Sequence, residues 1–240
     1  MIPKIFEREA LLIGTENVEK LMNATVTVFG AGGVGSYVVE GLVRAGIGCI
    51  ITVDSDTVNE TNINRQLIAD STTLGMNKTA AVAQRAKRIN PNVRIEEIRE
   101  FVTKENAPEI LGNMKTDYIV DAIDTVSAKI AIIKFAFENH IRIISSMGTG
   151  NKLSPELLRI GDIYETSICP LARVMRRELR QIGIARLDVL WSSEEPVRNS
   201  DGEKPVIKGD GRNAPGSISF VPSVGGLLIA SHVVRSIIAE

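Results

Sequence analysis

The sequence predicts an α/β fold, a Rossmann-like and mostly parallel sheet with helices on both faces, extended by a C-terminal part of the same domain. Three observations predict it. A β-branched run, Thr25-Val26-Thr27-Val28-Phe29, enters the turn Gly30-Ala31-Gly32-Gly33-Val34-Gly35 and then a helical stretch. A second apolar run, Cys49 to Val53, ends in Asp54. Short apolar strands then alternate with helical stretches, the pattern of right-handed crossovers between parallel strands.

Taken in order, Ile5 to Leu21 reads as a short helical arm containing Arg8. Strand 25–29, a helix from Val34 to Ala45 and strand 49–53 form the first βαβ unit. A loop with Asn62, Asn64 and Arg65 follows, then a helix from Asn77 to Ile89 stopped by Asn90-Pro91. Val93 to Ile98 alternates like a strand, and Tyr118-Ile119-Val120 is a short buried strand running into Asp121 and Asp124. A helix from Ser127 to Asn139 leads to strand Ile141 to Ser145. In the second half Arg159 to Thr166 and Leu187 to Trp191 read as strands around a helix from Pro170 to Ile182. Ser217 to Val221 reads as a strand and Val224 to Ile238 as an amphipathic closing helix. The polar stretch 192–216, rich in Gly, Pro, Asp and Asn, reads as a mobile loop. One domain, 1–240, is expected, with a nucleotide-binding half at 1–150 and a substrate-binding half at 151–240 that carries this loop.

Composition narrows the setting. A formal net charge of −1 over 240 residues gives no global attraction to nucleic acid, so RNA binding requires a local patch. The two cysteines, Cys49 and Cys169, supply neither a disulfide framework nor a four-cysteine zinc site. No charged-then-apolar leader opens the chain, and no apolar run reaches the roughly 18 residues of a membrane span. A cytoplasmic protein with no membrane partner is expected.

The glycine turn is a phosphate cradle. Gly30, Gly32, Gly33 and Gly35 let backbone N–H groups approach an anion at the positive end of a helix. Asp54 is placed to accept hydrogen bonds from ribose hydroxyls. That much fits NAD and ATP alike; Arg65, in Asn62-Ile63-Asn64-Arg65-Gln66, tips the balance to ATP, because a guanidinium suits a reactive phosphate better than a hydride donor. Taken singly these residues have plainer readings. Asp56 caps a turn, Arg65 pairs with an exposed acid, Lys78 is a solvated helix lysine, and Asp124 caps the next helix. Order and spacing together carry the argument.

Arg173, Arg176, Arg177 and Arg180 recur at i, i+3, i+4 and i+7, putting four guanidinium groups on one helix face, which is either a solvated surface or a track for RNA phosphates. Arg198, Lys204, Lys208 and Arg212 in the following loop add to it, with acids alternating. Cys169 precedes Pro170 at a helix start, where the dipole lowers a thiol pKa, so a covalent role and a packing role both stand open. His140 and His232 read as structural.

The run Gly-x-Gly-Gly-x-Gly, Asp-x-Asp-x-Val, Asn-x-Asn-Arg-Gln, Gly-x-x-Lys and Asp-x-x-Asp, over residues 5 to about 150, resembles the adenylating superfamily of the ubiquitin-activating enzymes and the sulfur-carrier adenylyltransferases. The resemblance implies that Gly33 contacts ATP phosphate and Asp54 the ribose. It implies Asn62, Arg65, Gln66 and Lys78 around the triphosphate, and Mg²⁺ on Asp124. Arg8 matches an arginine that the family donates across a homodimer interface. The second half, with Pro170-Leu171-Ala172-Arg173 and Gly216-Ser217-Ile218-Ser219-Phe220-Val221-Pro222, is similar to the branch that dehydrates threonylcarbamoyladenosine in tRNA. That branch implies a tRNA substrate, activated as an acyl-adenylate and cyclised. Adenylation of the C-terminal glycine of a ubiquitin-like sulfur carrier is the alternative, and sulfur-transfer proteins are admitted as partners. A nucleotide-binding module without turnover and an NAD-dependent oxidoreductase are the remaining readings; the oxidoreductase lacks an obvious acid–base residue.

Overall fold

Among the described residues every strand joins one sheet, so the two halves share a single scaffold. The computed structural model describes residues 2–197 and 214–239. Helices α1 (Glu7–Ile13) and α2 (Thr15–Asn23) precede β1 (Thr25–Phe29), α3 (Gly35–Arg44) and β2 (Cys49–Val53). Then come α4 (Lys78–Ile89), β3 (Arg94–Ile98), α5 (Ala107–Gly112), β4 (Tyr118–Asp121), α6 (Val126–Glu138) and β5 (Arg142–Ser146). The second half supplies β6 (Leu158–Asp162), α7 (Pro170–Gln181), β7 (Asp188–Ser192) and α8 (Phe220–Ile238). The strand order is β3-β2-β1-β4-β5-β7-β6, with only the β6–β7 pairing antiparallel.

The two faces of the sheet bury separate cores. One packs α3, α4 and α8 through Val38, Leu42, Val82, Ile229 and Val233. The other packs α5, α6 and α7 through Leu111, Ile132, Ile133, Met175 and Leu179. β1, β2 and β4 are buried on both faces, which is why they are rich in β-branched and apolar residues. Edge strand β3 is largely exposed and carries Arg94, Glu96 and Glu97. The strand order reverses between β1 and β4, and the crevice at that reversal, at the carboxyl ends, is where such sheets take ligands.

Several expected elements differ. The N-terminal arm breaks at Gly14 into α1 and α2. The strand expected over Arg159 to Thr166 stops at Asp162, whose carboxylate accepts a hydrogen bond from the Tyr164 N–H at 3.1 Å and folds the next residues into a 3₁₀ turn. α5 was not foreseen. Ser217 to Val221 forms no strand: its alternation mimics one, but α8 already begins at Phe220, with Pro222 in a first turn that needs no N–H from it. The loop expected at 192–216 begins later, since Ser192 is a buried residue of β7. Arg198, Lys204, Lys208 and Arg212 lie outside the described residues.

α8 also corrects the membrane count, being 19 residues long with a mean hydropathy of 1.5, enough by length and composition to cross a bilayer. It instead turns a stripe of Val221, Gly225, Ile229, Val233 and Ile237 into the core. Gly225 lies against Leu190, and Gly226 against Val34 and Tyr37.

Candidate active site

The glycine turn leaves β1 at the sheet reversal. Gly30 holds φ at 90°, and a Cβ there would lie 2.8 Å from the Ala122 carbonyl oxygen in the loop after β4. At Gly35 a Cβ would come within 1.7 Å of the Gly30 carbonyl oxygen. These two glycines close the turn on itself and on β4. Gly32 and Gly33 face more open space; the nearest atoms to a Cβ at Gly33 would be Pro222, at 3.2 Å, and the Arg65 side chain.

Asp54, at the end of β2, is wired into the same turn. Its Oδ2 accepts from the Ala31 N–H at 2.7 Å and its Oδ1 from the Asp56 N–H at 2.8 Å. Each carboxylate oxygen has further lone-pair capacity for hydroxyl donors. Asp56 is not merely a turn cap. Its Oδ2 lies 2.7 Å from Lys78 Nζ, and its carbonyl accepts the Lys78 N–H. The Lys78 side chain, 7% exposed, is a buried cation at the start of α4 rather than a solvated surface lysine.

The segment between β2 and α4 brings in the remaining groups. Asn62 is buried and its side-chain oxygen accepts from the Asn59 N–H, forming a capping box around a 3₁₀ turn. Gln66 is 7% exposed, and its Oε1 has no hydrogen-bond partner among the described residues. A buried acceptor left unmet is costly in the protein alone and is the mark of a place where a donor arrives with a ligand. Arg65 donates from Nη1 to the Thr61 carbonyl at 2.6 Å and to Asn64 Oδ1 at 3.0 Å. No carboxylate pairs with it among the described residues, and burial pulls its pKa below the ordinary arginine value. Pairing with an exposed acid, the plainer reading of Arg65, does not occur among the described residues.

Beneath the turn lies a pair that the sequence reading missed. Asp121, the last residue of β4, and Lys129 of α6 are both fully buried, with Nζ 2.8 Å from Oδ2. Ser145 Oγ donates to the same Oδ2 at 2.6 Å, and Lys129 Nζ also donates to the carbonyls of Ile123 and Ser146. The loop 122–125 is thereby tied to β4, β5 and α6. It carries Asp124, which is exposed and is not the cap of α6, since Thr125 occupies that position. Lys129 shares a helix face with Ala128, Ile132 and Ile133, and a lysine in that company was the available signal.

The ThiF family matches residues 6–240 of the chain. The chain belongs to the ThiF family. This ThiF-family chain is 38% identical to a tRNA threonylcarbamoyladenosine dehydratase of Bacillus subtilis, over 98% of its own length and 95% of the relative's. The crystal structure of Escherichia coli tRNA N6-threonylcarbamoyladenosine dehydratase in complex with ATP superposes with a TM-score of 0.88 at 29% identity, covering 98% and 94% of the two chains. The complex of that enzyme with AMP superposes at 0.87, covering 100% and 97%.

Other sequence-predicted residues of this ThiF-family chain lie apart from the turn. Arg8 is exposed on α1, two residues from Phe6, whose ring packs over Gly46 where α3 turns toward the start of β2. That is the amino-end side of the parallel strands, away from Gly30–Gly35 at their carboxyl ends. On α7, Arg173 and Arg177 are exposed, and Arg177 lies 2.7 Å from Glu178. Arg176 donates to the carbonyl and hydroxyl oxygens of Thr166, and the Arg180 guanidinium stacks 5.1 Å from the Tyr164 ring centre. Two members of the stripe therefore brace the 3₁₀ turn. Cys169 is 3% exposed among Ile163, Ala172 and Met175, a packing position. His232 is structural as expected, but not isolated: Nε2 lies 3.2 Å from Asp188 Oδ2. Burial pushes its pKa below the ordinary value against the opposing pull of Asp188.

Proposed function

We propose that this chain is an ATP-dependent, ligase-type enzyme that closes threonylcarbamoyladenosine in tRNA to its cyclic form through an acyl-adenylate. The observation that carries the reading is Arg65, a guanidinium without a carboxylate partner among the described residues, beside a glycine turn bonded to Asp54 and with Lys78 buried against Asp56. The full-length likeness to dehydratases supports the choice of substrate.

In this reading residues 1–150 hold ATP and residues 151–240 present the tRNA. The turn Gly30–Gly35 receives phosphate oxygens, Asp54 the ribose, and Gln66 and Asn62 the neighbouring polar atoms. The threonyl carboxylate attacks the α-phosphate, pyrophosphate leaves, and Arg65 and Lys78 stabilise the charge that builds there. The carbamoyl amide of the same modified base then displaces AMP at the activated carbonyl, so the enzyme needs no nucleophile, in keeping with buried Cys169. Asp124 would hold Mg²⁺, which neutralises phosphate charge. A single exposed carboxylate fits that ion, which takes one or two carboxylates and completes its shell with phosphate and water; no three-ligand cluster occurs among the described residues.

A homodimer belongs to the same proposal. Leu11 and Leu12 on α1 are 89% and 85% exposed, an apolar surface that a second copy would cover, and in that dimer Arg8 on the same helix would serve the partner's nucleotide turn. Sulfur-transfer proteins as partners and a cytoplasmic setting stay with this reading as well.

ATP–pyrophosphate exchange tests the substrate. Exchange is expected with tRNA carrying the threonylcarbamoyl modification and not with a ubiquitin-like carrier; exchange with the carrier alone overturns the proposal. For the arginine stripe, Arg173 and Arg177 are the pair to change, since Arg176 and Arg180 also brace the fold. The Arg173→Gln, Arg177→Gln double variant is expected to weaken tRNA binding and to lower the log–log salt slope by roughly 0.7–0.9 for each phosphate no longer neutralised. ATP binding should be unaffected. An unchanged slope makes α7 a solvated face.

A further inference from the structure

We propose that Asn64 and Asn151 are positioning residues for Arg65, acting through the backbone of Gly216 and Ser217. The inference rests on the reading of Arg65 as the group that faces the triphosphate.

The contacts form one unbroken path. Arg65 Nη1 donates to Asn64 Oδ1 at 3.0 Å, and the other end of that amide, Nδ2, donates to the Ser217 carbonyl at 3.0 Å. Next to it, the Gly216 N–H donates to Asn151 Oδ1 at 2.6 Å, while the Asn151 N–H donates to the Gly216 carbonyl at 2.8 Å. The Asn151 carbonyl in turn accepts from the Val197 N–H at 2.8 Å. Asn151 holds φ at 56°, a left-handed conformation that asparagine tolerates better than most side chains, and it is this conformation that presents side chain and backbone to Gly216 together.

The chemistry explains why amides are used. A carboxylate in place of Asn64 would fix the guanidinium but would also neutralise it, and a neutralised cation does little for developing phosphate charge. The Asn64 amide and the Thr61 carbonyl orient Arg65 while leaving its full charge available. Asn64 is also bifunctional: it must donate one way and accept the other, which a hydroxyl or an acid does not reproduce at the same reach. The orientation of a residue in the first half of the chain is thus set from the loop after β5 and from the approach to α8.

The experiment measures ATP–pyrophosphate exchange by the full-length enzyme with modified tRNA. It compares Asn64→Ala, Asn151→Gly and the double variant, each with Arg65 intact and with Arg65→Ala. Asn151→Gly keeps the backbone conformation and removes only the acceptor. Each single change is expected to lower kcat roughly 10–100-fold, the effect of slight misplacement of a catalytic group, with little change in KM for ATP. The double variant should be no slower than the worse single variant, and neither asparagine change should matter once Arg65 is alanine. Asn151→Asp, which retains an acceptor, should recover most of the loss. Additive losses, equal losses in the Arg65→Ala background, or losses that follow the melting temperature and persist in Asn151→Asp overturn the proposal. If Arg65→Ala slows exchange while both asparagine variants run at full rate, the path fails and the reading of Arg65 stands. If Arg65→Ala itself runs at full rate, both fall.

Discussion

Arg65→Ala is expected to slow adenylate formation by about 10²–10³-fold, the usual consequence of removing one preorganised charge-stabilising donor. Its melting temperature should stay near that of the wild type, because the guanidinium contributes only two hydrogen bonds to neutral oxygens, those of Thr61 and Asn64, and no ion pair to the described residues. Arg65→Lys should recover only part of the rate, since a point charge replaces a planar fork. Stopped-flow or quench measurement of the first turnover, beside a thermal melt, separates the outcomes. Unchanged specific activity with a lowered melting temperature would make Arg65 a structural residue.

Lys129→Met is expected to be the most destabilising single change in the neighbourhood of the turn. It leaves the Asp121 carboxylate at zero exposure without its cation, and breaking a buried pair from one side costs about 3–5 kcal/mol. A second change, Asp121→Asn, removes the orphaned charge and should return a large part of that loss, as measured by urea unfolding of the single and double variants. The amide oxygen can keep the Ile123 N–H bond made to Oδ1, while the Ser145 hydroxyl, which now donates to Oδ2, can turn to accept from the amide NH₂. A double variant no more stable than Lys129→Met would mean that the pair acts through packing rather than charge.

The first half of the chain was legible because its signals are local. β1 and β2 run from Thr25 to Phe29 and from Cys49 to Val53 as read, since strands buried on both faces announce themselves as apolar runs. The glycine turn and Asp54 fall together for the same reason: one βαβ unit contains both. Lys78 was legible as a candidate, but its burial against Asp56 was not, because a lysine at a helix start looks the same in water and out of it. Lys129 was passed over although it sits in an apolar face. Asn64 was named within its motif but given no role, because one of its two partners, Ser217, lies more than 150 residues away. Ser217 to Val221 misled for a related reason: the Ser217 carbonyl bonds to the distant Asn64 side chain and α8 begins at Phe220, and alternation alone cannot distinguish that from a ladder.

The seating of α8 on the glycine turn bears on the order in which the molecule is made. The turn is finished as sequence by residue 35, yet Pro222 walls Gly33, and Gly226 lies 2.5 to 3.0 Å from the backbone of Val34 and Val38 by the measure of an added Cβ. That side of the crevice is therefore completed only after α8 has been made. Contacts between segments far apart in a chain form late, because the loop between them has to be ordered first. A chain without α8 would leave Gly33 and Val34 uncovered on that side.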